Sequence, residues 1–156
     1  MSKLTTLAAS TILAAGFASV AMAEGNAIRI GVVTPISGTY AGIGQQVTWG
    51  LDMAAAEINA NGGIMGRQIE LVYEDSEANP AVAVQKAEKL YTSENVDFLT
   101  STVNSGATLA VGQVAERAGK LLATTVSFSD AITGNKCSPN VFRVNARAGQ
   151  QSAALA

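Results

Sequence analysis

The chain contains no histidine among its 156 residues and only one cysteine, Cys137. Histidine is the commonest general base and metal ligand in proteins, and a Gly-x-Ser-x-Gly nucleophile elbow is also missing. A single cysteine cannot form a disulfide within the chain, so Cys137 is either unpaired or paired with a cysteine elsewhere. These absences predict a protein that is not an enzyme and has neither a metal site nor a bound cofactor.

Charged residues are scarce and mixed in sign. The sequence has 10 Lys and Arg residues against 12 Asp and Glu residues, which gives a formal net charge of −2. The basic residues are scattered along the chain, whereas a nucleic-acid-binding domain concentrates them on one face. The composition therefore argues against nucleic acid as a partner.

The first residues have the pattern of a secretory signal peptide. Lys3 precedes an uncharged stretch at 4–20, and the small residues of Ala21-Met22-Ala23 come directly before Glu24. A spanning helix needs roughly 20 predominantly apolar residues, and several Thr and Ser residues dilute this stretch. The pattern predicts a signal peptide at 1–23 and an exported, periplasmic protein at 24–156 that is not embedded in a membrane. An uncleaved N-terminal anchor is the alternative.

Short apolar runs alternate with helical patterns along the rest of the chain. Because strands that alternate with helices of this length form parallel βαβ units, and apolar strands are covered on both faces, the pattern predicts a doubly wound three-layer α/β sandwich with a mainly parallel sheet. The predicted strands are 28–34, 69–73, 97–102, 121–125 and 141–144, and the predicted helices are 44–60, 80–93, 106–118 and 149–156.

The first predicted helix has a clear apolar face. Val47, Leu51, Ala54 and Ile58 recur at the 3.6-residue spacing of a buried helical stripe. Trp49 lies off this stripe, so we expect it either in solvent or at an interface with another lobe. In the second helix the inward-facing residues are predicted to be Val84, Ala87, Leu90 and Tyr91.

Three segments are expected to meet beyond the carboxyl ends of the strands, where open α/β sheets bind ligands. They are 37–44, 103–105 and 126–130, and they are rich in hydroxyl groups and glycine but carry no plausible catalytic base. Asn104 or Ser105 would cap the third helix, whose free N–H groups and dipole favour an anion such as a carboxylate. An ordinary N-cap without a ligand is the alternative interpretation.

Two other kinds of site are disfavoured. The tripeptide Gly-Ile-Gly at 42–44 is similar to the start of a dinucleotide fingerprint, but Val47 stands where its third glycine belongs. Glu74, Asp75 and Glu77 could be taken for a ribose-binding acid or metal ligands, but a polar, solvated connector is the simpler interpretation. The sequence therefore predicts neither NAD binding nor a metal site.

The order of these features resembles the branched-chain amino-acid-binding proteins, which are type I periplasmic solute receptors of ABC importers. The resemblance is carried by a Ser-Gly turn after the first strand and by the segments EINANGGIMGR, NPAVAV, VNSGATLAV and SFSDAIT. It implies an extracytoplasmic receptor that binds a small molecule between two lobes and delivers it to a membrane permease. Residues 24–156 would then be the N-terminal lobe with half of the binding site. A ligand-sensing domain of the same fold in a signalling protein is the alternative.

The resemblance also implies a set of ligand-binding residues. The residues implied for the carboxylate head group are Asn104, Ser105, Val126, Ser127 and Phe128. The residues implied for the start of the side-chain pocket are Tyr40 and Ile43. Two of these depart from the family pattern, because Phe128 replaces a usual threonine and Asn104 replaces a usual serine. An aromatic ring near the head group suggests a ligand other than leucine, such as an aromatic acid or an amide.

Overall fold

The computed structural model describes residues 27–156, so the predicted signal peptide at 1–23 lies outside the described residues. The strands are β1 (Ile28–Thr34), β2 (Ile69–Asp75), β3 (Phe98–Thr100), β4 (Leu122–Thr124) and β5 (Val141–Arg143). The helices are α1 (Ala41–Ala60), α2 (Pro80–Thr92), α3 (Ser105–Ala118) and α4 (Ala148–Leu155), with a short 3-10 helix at Asp130–Thr133.

The five strands form one parallel sheet in the order β2-β1-β3-β4-β5. The chain moves outward from β1 to β2, then crosses back over β1 and continues through β3 to β5. Because the face on which a right-handed crossover places its helix depends on the direction of travel along the sheet, α1 lies on one face and α2 and α3 lie on the other. The doubly wound arrangement predicted from the sequence is confirmed.

Neighbouring residues of β2 show that helices cover both faces. The Tyr73 hydroxyl donates to the Asp52 carboxylate of α1 at 2.6 Å, while the next residue, Glu74, pairs with Lys86 of α2 at 2.8 Å. Successive side chains of a strand point to opposite faces, so α1 and α2 lie on opposite sides. The three layers are therefore α1, the sheet, and the α2–α3 pair.

The main core lies between the sheet and the α2–α3 pair. Ala87 and Leu90 of α2 are fully buried there, as predicted, and Tyr91 is nearly so. Gly31 of β1 permits this close packing, since a Cβ atom at that position would lie 2.5 Å from Leu99. The other fully buried apolar residues of this cluster include Val33, Ala83, Val96, Val111, Ala115 and Leu122.

The layer formed by α1 is more open. Val47, Leu51 and Ile58 face the sheet but are only half-buried, and Trp49 is 58% exposed, as its position off the stripe predicted. The prediction was wrong for Ala54, which is exposed, whereas Ala55 is half-buried. The observed half-buried face extends to Asn59, so at 100° per residue its centre lies near Ala55, and Ala54 falls just outside its border.

The outer strand β5 is the least covered part of the sheet. It pairs with β4 on one side only. Val141 packs against the main core, so the next residue, Phe142, points to the α1 side, where it is 53% exposed.

Several predicted elements differ in length from those observed, most of all the third strand and the first helix. The third strand, predicted at 97–102, ends at Thr100, because Ser101 has a φ of 71°. That left-handed value is incompatible with an extended strand. The first helix begins at Ala41 rather than at 44. Across residues 27–156, no helix combines the length and apolar character that crossing a membrane requires.

Candidate ligand site at the carboxyl edge of the sheet

Three loops meet at the carboxyl edge of the sheet, beside the point where the strand order reverses between β1 and β3. We name them the β1 loop (residues 35–40), the β3 loop (residues 101–104) and the β4 loop (residues 125–129). In open α/β sheets this reversal creates the crevice in which ligands bind. All seven predicted site residues lie in these loops or in the first turn of the helix that follows.

Asn104 is the N-cap of α3. Its side-chain oxygen accepts a hydrogen bond from the Ala107 N–H at 3.1 Å, which settles the choice between Asn104 and Ser105. The N–H groups of Ser105 and Gly106 find no acceptor among the described residues. These two groups and the positive end of the helix dipole make the start of α3 suitable for an anion.

Ser105 joins α3 to the β4 loop. Its hydroxyl oxygen accepts a hydrogen bond from the Ser129 N–H at 3.2 Å. A serine hydroxyl that accepts one hydrogen bond still has a proton to donate. Ser105 therefore ties two of the three loops together and keeps its O–H available.

The Ser127 side chain points into the domain. It is fully buried, and its hydroxyl donates to the Thr102 carbonyl at 2.8 Å and contacts the Thr108 hydroxyl. The hydroxyl is thus committed to the interior. The residue as a whole, backbone included, has no accessible surface.

Ser127 belongs to a buried cluster of hydroxyl groups that links β3, α3 and β4. The Thr102 and Thr108 hydroxyls lie 2.7 Å apart, and the Thr124 hydroxyl donates to the Thr102 carbonyl at 3.2 Å. All four side chains are inaccessible or nearly so, and each has a hydrogen-bond partner, as buried polar groups require. The sequence reasoning missed this cluster, although the neighbouring hydroxyl residues at 100–102 and 124–125 were a signal that could have revealed it.

In the backbone of the β4 loop, carbonyl groups accept hydrogen bonds, whereas several N–H groups have no partner among the described residues. The Ser127 carbonyl accepts from Arg143 at 3.1 Å and from Asn145 at 3.2 Å. The Phe128 carbonyl accepts from the Ala148 N–H at 2.8 Å. By contrast, the N–H groups of Val126, Ser127 and Phe128 have no acceptor within residues 27–156. The loop therefore has free donors, which is the composition of an anion site.

The β1 loop is held by Asp75, the last residue of β2. Its carboxylate accepts from the Ile36 N–H at 2.9 Å and from the Glu77 N–H at 2.8 Å. Burial raises the pKa of the Asp75 carboxyl, but hydrogen bonds from the Ser37 side chain and from backbone N–H groups outweigh it, so the pKa lies below its ordinary value. Asp75 thus positions the loop that leads to Tyr40.

Glu74 also has a specific structural role. It is 9% exposed, and its carboxylate pairs with Lys86 at 2.8 Å and with Lys89 at 2.5 Å. Hydrogen bonds from Lys86 and then from Lys89 lower the pKa of the Glu74 carboxyl. The interpretation of Glu74, Asp75 and Glu77 as a solvated connector is therefore wrong for the first two and holds only for the exposed Glu77.

Apolar side chains flank the free N–H groups. Tyr40 and Ile43 lie at the β1 side, where they are 42% and 39% exposed, and Phe128 lies on the β4 loop, where it is 45% exposed. Val126 is half-buried. A few convergent polar donors beside exposed apolar groups are the usual composition of a small-molecule site.

The site in this domain is an open edge rather than an enclosed cavity. A cavity of about 650 Å³ lies beside α3, where Gly112, Ile132 and Val141 contribute to its wall. Another, of about 270 Å³, lies between Ile36 and Trp49. None of the seven predicted site residues lines either cavity. A ligand at the carboxyl edge would therefore need further contacts from outside these loops to become enclosed.

Comparison with known proteins gives consistent similarities. A family model described as "Periplasmic binding protein" matches residues 27–156. The chain is 34% identical over 141 residues to a Leu/Ile/Val-binding protein homolog of Brucella melitensis, covering 90% of this chain and 37% of that protein. It is 32% identical over 149 residues to a Leu/Ile/Val-binding protein of Rhizobium johnstonii, covering 96% and 39% respectively.

Solved structures agree. A branched-chain amino acid transporter substrate-binding protein of Streptococcus pneumoniae, in complex with isoleucine, is 32% identical with a TM-score of 0.73, over 78% of this chain and 34% of that chain. A solute-binding protein of an ABC transporter from R. palustris, in complex with benzoate, is 36% identical with a TM-score of 0.72, over 80% and 34%. The chain thus spans less than two fifths of the length of each of these relatives.

Proposed function

The chain belongs to the periplasmic binding protein family, and from this premise we propose that it is part of an extracytoplasmic solute receptor of an ABC importer. In this proposal it binds a small carboxylate, either an amino acid or an aromatic acid, and delivers it to a membrane permease. The observation that carries the proposal is the set of free N–H groups on α3 and on the β4 loop. The two solved structures described above are binding proteins of transporters, which favours a receptor over a sensing domain.

The carboxylate would lie between the start of α3 and the β4 loop. Its oxygens would accept hydrogen bonds from the N–H groups of Ser105, Gly106 and Phe128, with the Ser105 hydroxyl as a further donor. A hydrogen bond to a charged group contributes about 1.5–3 kcal/mol, and the helix dipole adds to it. Such a site recognises the negative charge without any cationic side chain in contact with the ligand.

The predicted residues take different roles in this proposal. Ser105 contacts the ligand through its side chain and backbone, whereas Val126 offers its backbone N–H group. Ser127, which is inaccessible, acts from the interior by joining the β4 loop to Thr102. Asn104 acts through the helix it caps. The exposed apolar residues that would contact the rest of the ligand are Phe128, Tyr40 and Ile43.

Phe128 favours an aromatic acid over a branched aliphatic one. Its ring is exposed next to the proposed carboxylate position, and aromatic rings gain about 0.5–1.5 kcal/mol from stacked or edge-to-face pairing beyond the burial of area. The solute-binding protein that resembles this chain at 36% identity was crystallised with benzoate. Benzoate and isoleucine are therefore the two ligands to compare.

Residues 24–156 form one of two lobes in this proposal, and 1–23 is a signal peptide that directs export to the periplasm. Ligand sites typically bury 70–90% or more of a small ligand, and the open carboxyl edge offers contacts from one side only. We therefore expect weak binding to this lobe by itself.

An NMR titration tests the proposal even when binding is weak. The exported chain, labelled with ¹⁵N, is titrated with benzoate and with isoleucine, and benzyl alcohol serves as a neutral control without a carboxylate. We expect the amide signals of Ser105, Gly106 and Phe128 to shift with benzoate or isoleucine but not with benzyl alcohol. Shifts confined to other regions, or none at millimolar concentration, would reject this site.

A further inference from the structure

We propose that Arg143 is a positioning residue of the carboxylate site, because it fixes the orientation of the β4 loop backbone. This inference rests on the proposed function for its consequence in binding, but the contacts themselves belong to the fold. Arg143 lies at the end of β5 and is half-buried. It does not need to touch the ligand.

The guanidinium of Arg143 contacts the β4 loop at two backbone positions. Its Nη1 donates to the Ser127 carbonyl at 3.1 Å, and its Nη2 donates to the Ser129 carbonyl at 2.7 Å. Nη2 also donates to the Thr133 hydroxyl at 3.1 Å, in the 3-10 helix that follows. A guanidinium is planar and its donors have a fixed spacing, so these contacts set the distance between two carbonyls of the loop.

Residues that follow Arg143 in the chain also donate hydrogen bonds to the carbonyl groups of the β4 loop. The Asn145 side chain donates to the Ser127 carbonyl at 3.2 Å, and the Ala148 N–H donates to the Phe128 carbonyl at 2.8 Å. Each carbonyl from 127 to 129 is therefore held by a donor from residues 143–148. The β4 loop thus directs its carbonyl oxygens towards residues 143–148.

Peptide geometry then determines where the N–H groups point. In a trans peptide the C=O of one residue and the N–H of the next lie in one plane and point in opposite directions. With the Phe128 carbonyl held by Ala148, the Ser129 N–H points the other way and reaches Ser105 of α3 at 3.2 Å. By the same rule, the Ser127 carbonyl held by Arg143 directs the Phe128 N–H away from Arg143. The contacts of Arg143 thus direct the free Phe128 N–H group away from β5.

Variants of Arg143 separate geometry from charge. Arg143→Lys keeps the positive charge but has one ammonium group, which cannot replace the planar fork, whereas Arg143→Gln removes the charge. Arg117→Gln is a matched control, since Arg117 pairs with Glu88 at the other end of α3. Asn145→Ala removes only one donor to the Ser127 carbonyl, and it serves as a milder variant if an Arg143 variant fails to fold.

Two measurements are made on each variant of the exported chain. Amide hydrogen exchange of Ser129 reports on the loop without any ligand, and NMR titration with benzoate and isoleucine gives the dissociation constant. We expect both Arg143 variants to accelerate exchange at Ser129 and to raise the dissociation constant of the tighter ligand about 10-fold or more. Arg117→Gln should leave both quantities unchanged, and Asn145→Ala should change them in the same direction by less.

The outcomes decide the proposal. A normal dissociation constant for Arg143→Lys together with a raised one for Arg143→Gln would mean that only the charge matters, which overturns the positioning role. Unchanged exchange at Ser129 in both variants would also overturn it. If the unmodified chain binds neither acid, the proposed function fails, whereas exchange at Ser129 still shows whether Arg143 holds the loop.

Discussion

The Ser129 N–H donates a hydrogen bond to the Ser105 hydroxyl at 3.2 Å. This contact joins the β4 loop to the first turn of α3, while the cap of α3 is supplied by the neighbouring Asn104. The two adjacent residues therefore have separate roles, one between elements and one within the helix. Substitutions at 104 and 105 should affect different properties of the protein.

The first prediction concerns Ser105. Ser105→Ala should raise the dissociation constant for a carboxylate ligand roughly 10- to 150-fold, because a hydrogen bond to a charged group is lost. The Asn104 cap remains, so the free energy of unfolding should fall by no more than the contribution of the lost Ser129–Ser105 hydrogen bond, about 0.5–1.5 kcal/mol. NMR titration and urea denaturation measure the two quantities.

Asn104→Ala is the companion variant and should behave differently. Loss of the cap should lower the free energy of unfolding by about 1 kcal/mol. If Ser105→Ala destabilises the protein to that extent and leaves the dissociation constant unchanged, Ser105 has only a structural role.

The second prediction concerns ligand preference. Phe128→Thr restores the hydroxyl that is usual in the family resembled and removes an exposed ring, so it should shift preference from benzoate towards isoleucine without abolishing binding. The ratio of the two dissociation constants is the quantity to measure. Phe142→Thr provides a control, because Phe142 is similarly exposed but lies on β5. An equal change of the ratio in both variants would exclude a selective role for Phe128.

The third prediction concerns the pH dependence of stability. Lys86 and Lys89 hold the pKa of Glu74 below its ordinary value in the folded state. A carboxyl with a lowered folded-state pKa contributes stability above its unfolded-state pKa, and the contribution is lost as the pH falls through the folded-state pKa. Thus the free energy of unfolding should decrease as the pH falls from about 5.

Glu74→Gln should weaken this dependence, and urea denaturation between pH 3 and 7 measures it. Glu77→Gln is the matched control, because Glu77 is exposed and close in sequence. An identical pH profile for the unmodified chain and Glu74→Gln would show that the ion pairs contribute nothing measurable.

The fourth prediction concerns export. When the full chain is produced in a Gram-negative host, the signal peptide should be removed between Ala23 and Glu24. Mass spectrometry of the periplasmic fraction should then find a mature N-terminus at Glu24. Intact material that retains residues 1–23 and fractionates with the membrane would instead support the uncleaved anchor.

The sequence predicted the elements better than the details at their ends. The first strand is predicted at 28–34, as observed, because five of its seven residues are β-branched and Pro35 follows it. The third strand was predicted too long, since nothing in the residue pattern reveals that Ser101 adopts a left-handed φ. Periodicity describes regular structure and contains no information about a single residue that leaves it.

The candidate site could likewise be predicted from the sequence only in part. Sequence reasoning found the three loops, because strand ends and helix starts have recognisable residues. It did not find that the Ser127 hydroxyl points inward, because the alternation of faces ends with the strand. It also missed Arg143 and Asp75, whose partners are backbone groups that any residue type could supply.

The position of Arg143 on the outer strand has a thermodynamic consequence. A strand with one neighbour and few buried side chains belongs to the less protected parts of a domain, which open locally at a lower free energy than the core. A ligand that binds only when β5 is in place raises that opening free energy by mass action. Occupancy of the carboxyl edge would therefore be transmitted, through the backbone of the β4 loop, to the stability of the outermost strand of the sheet.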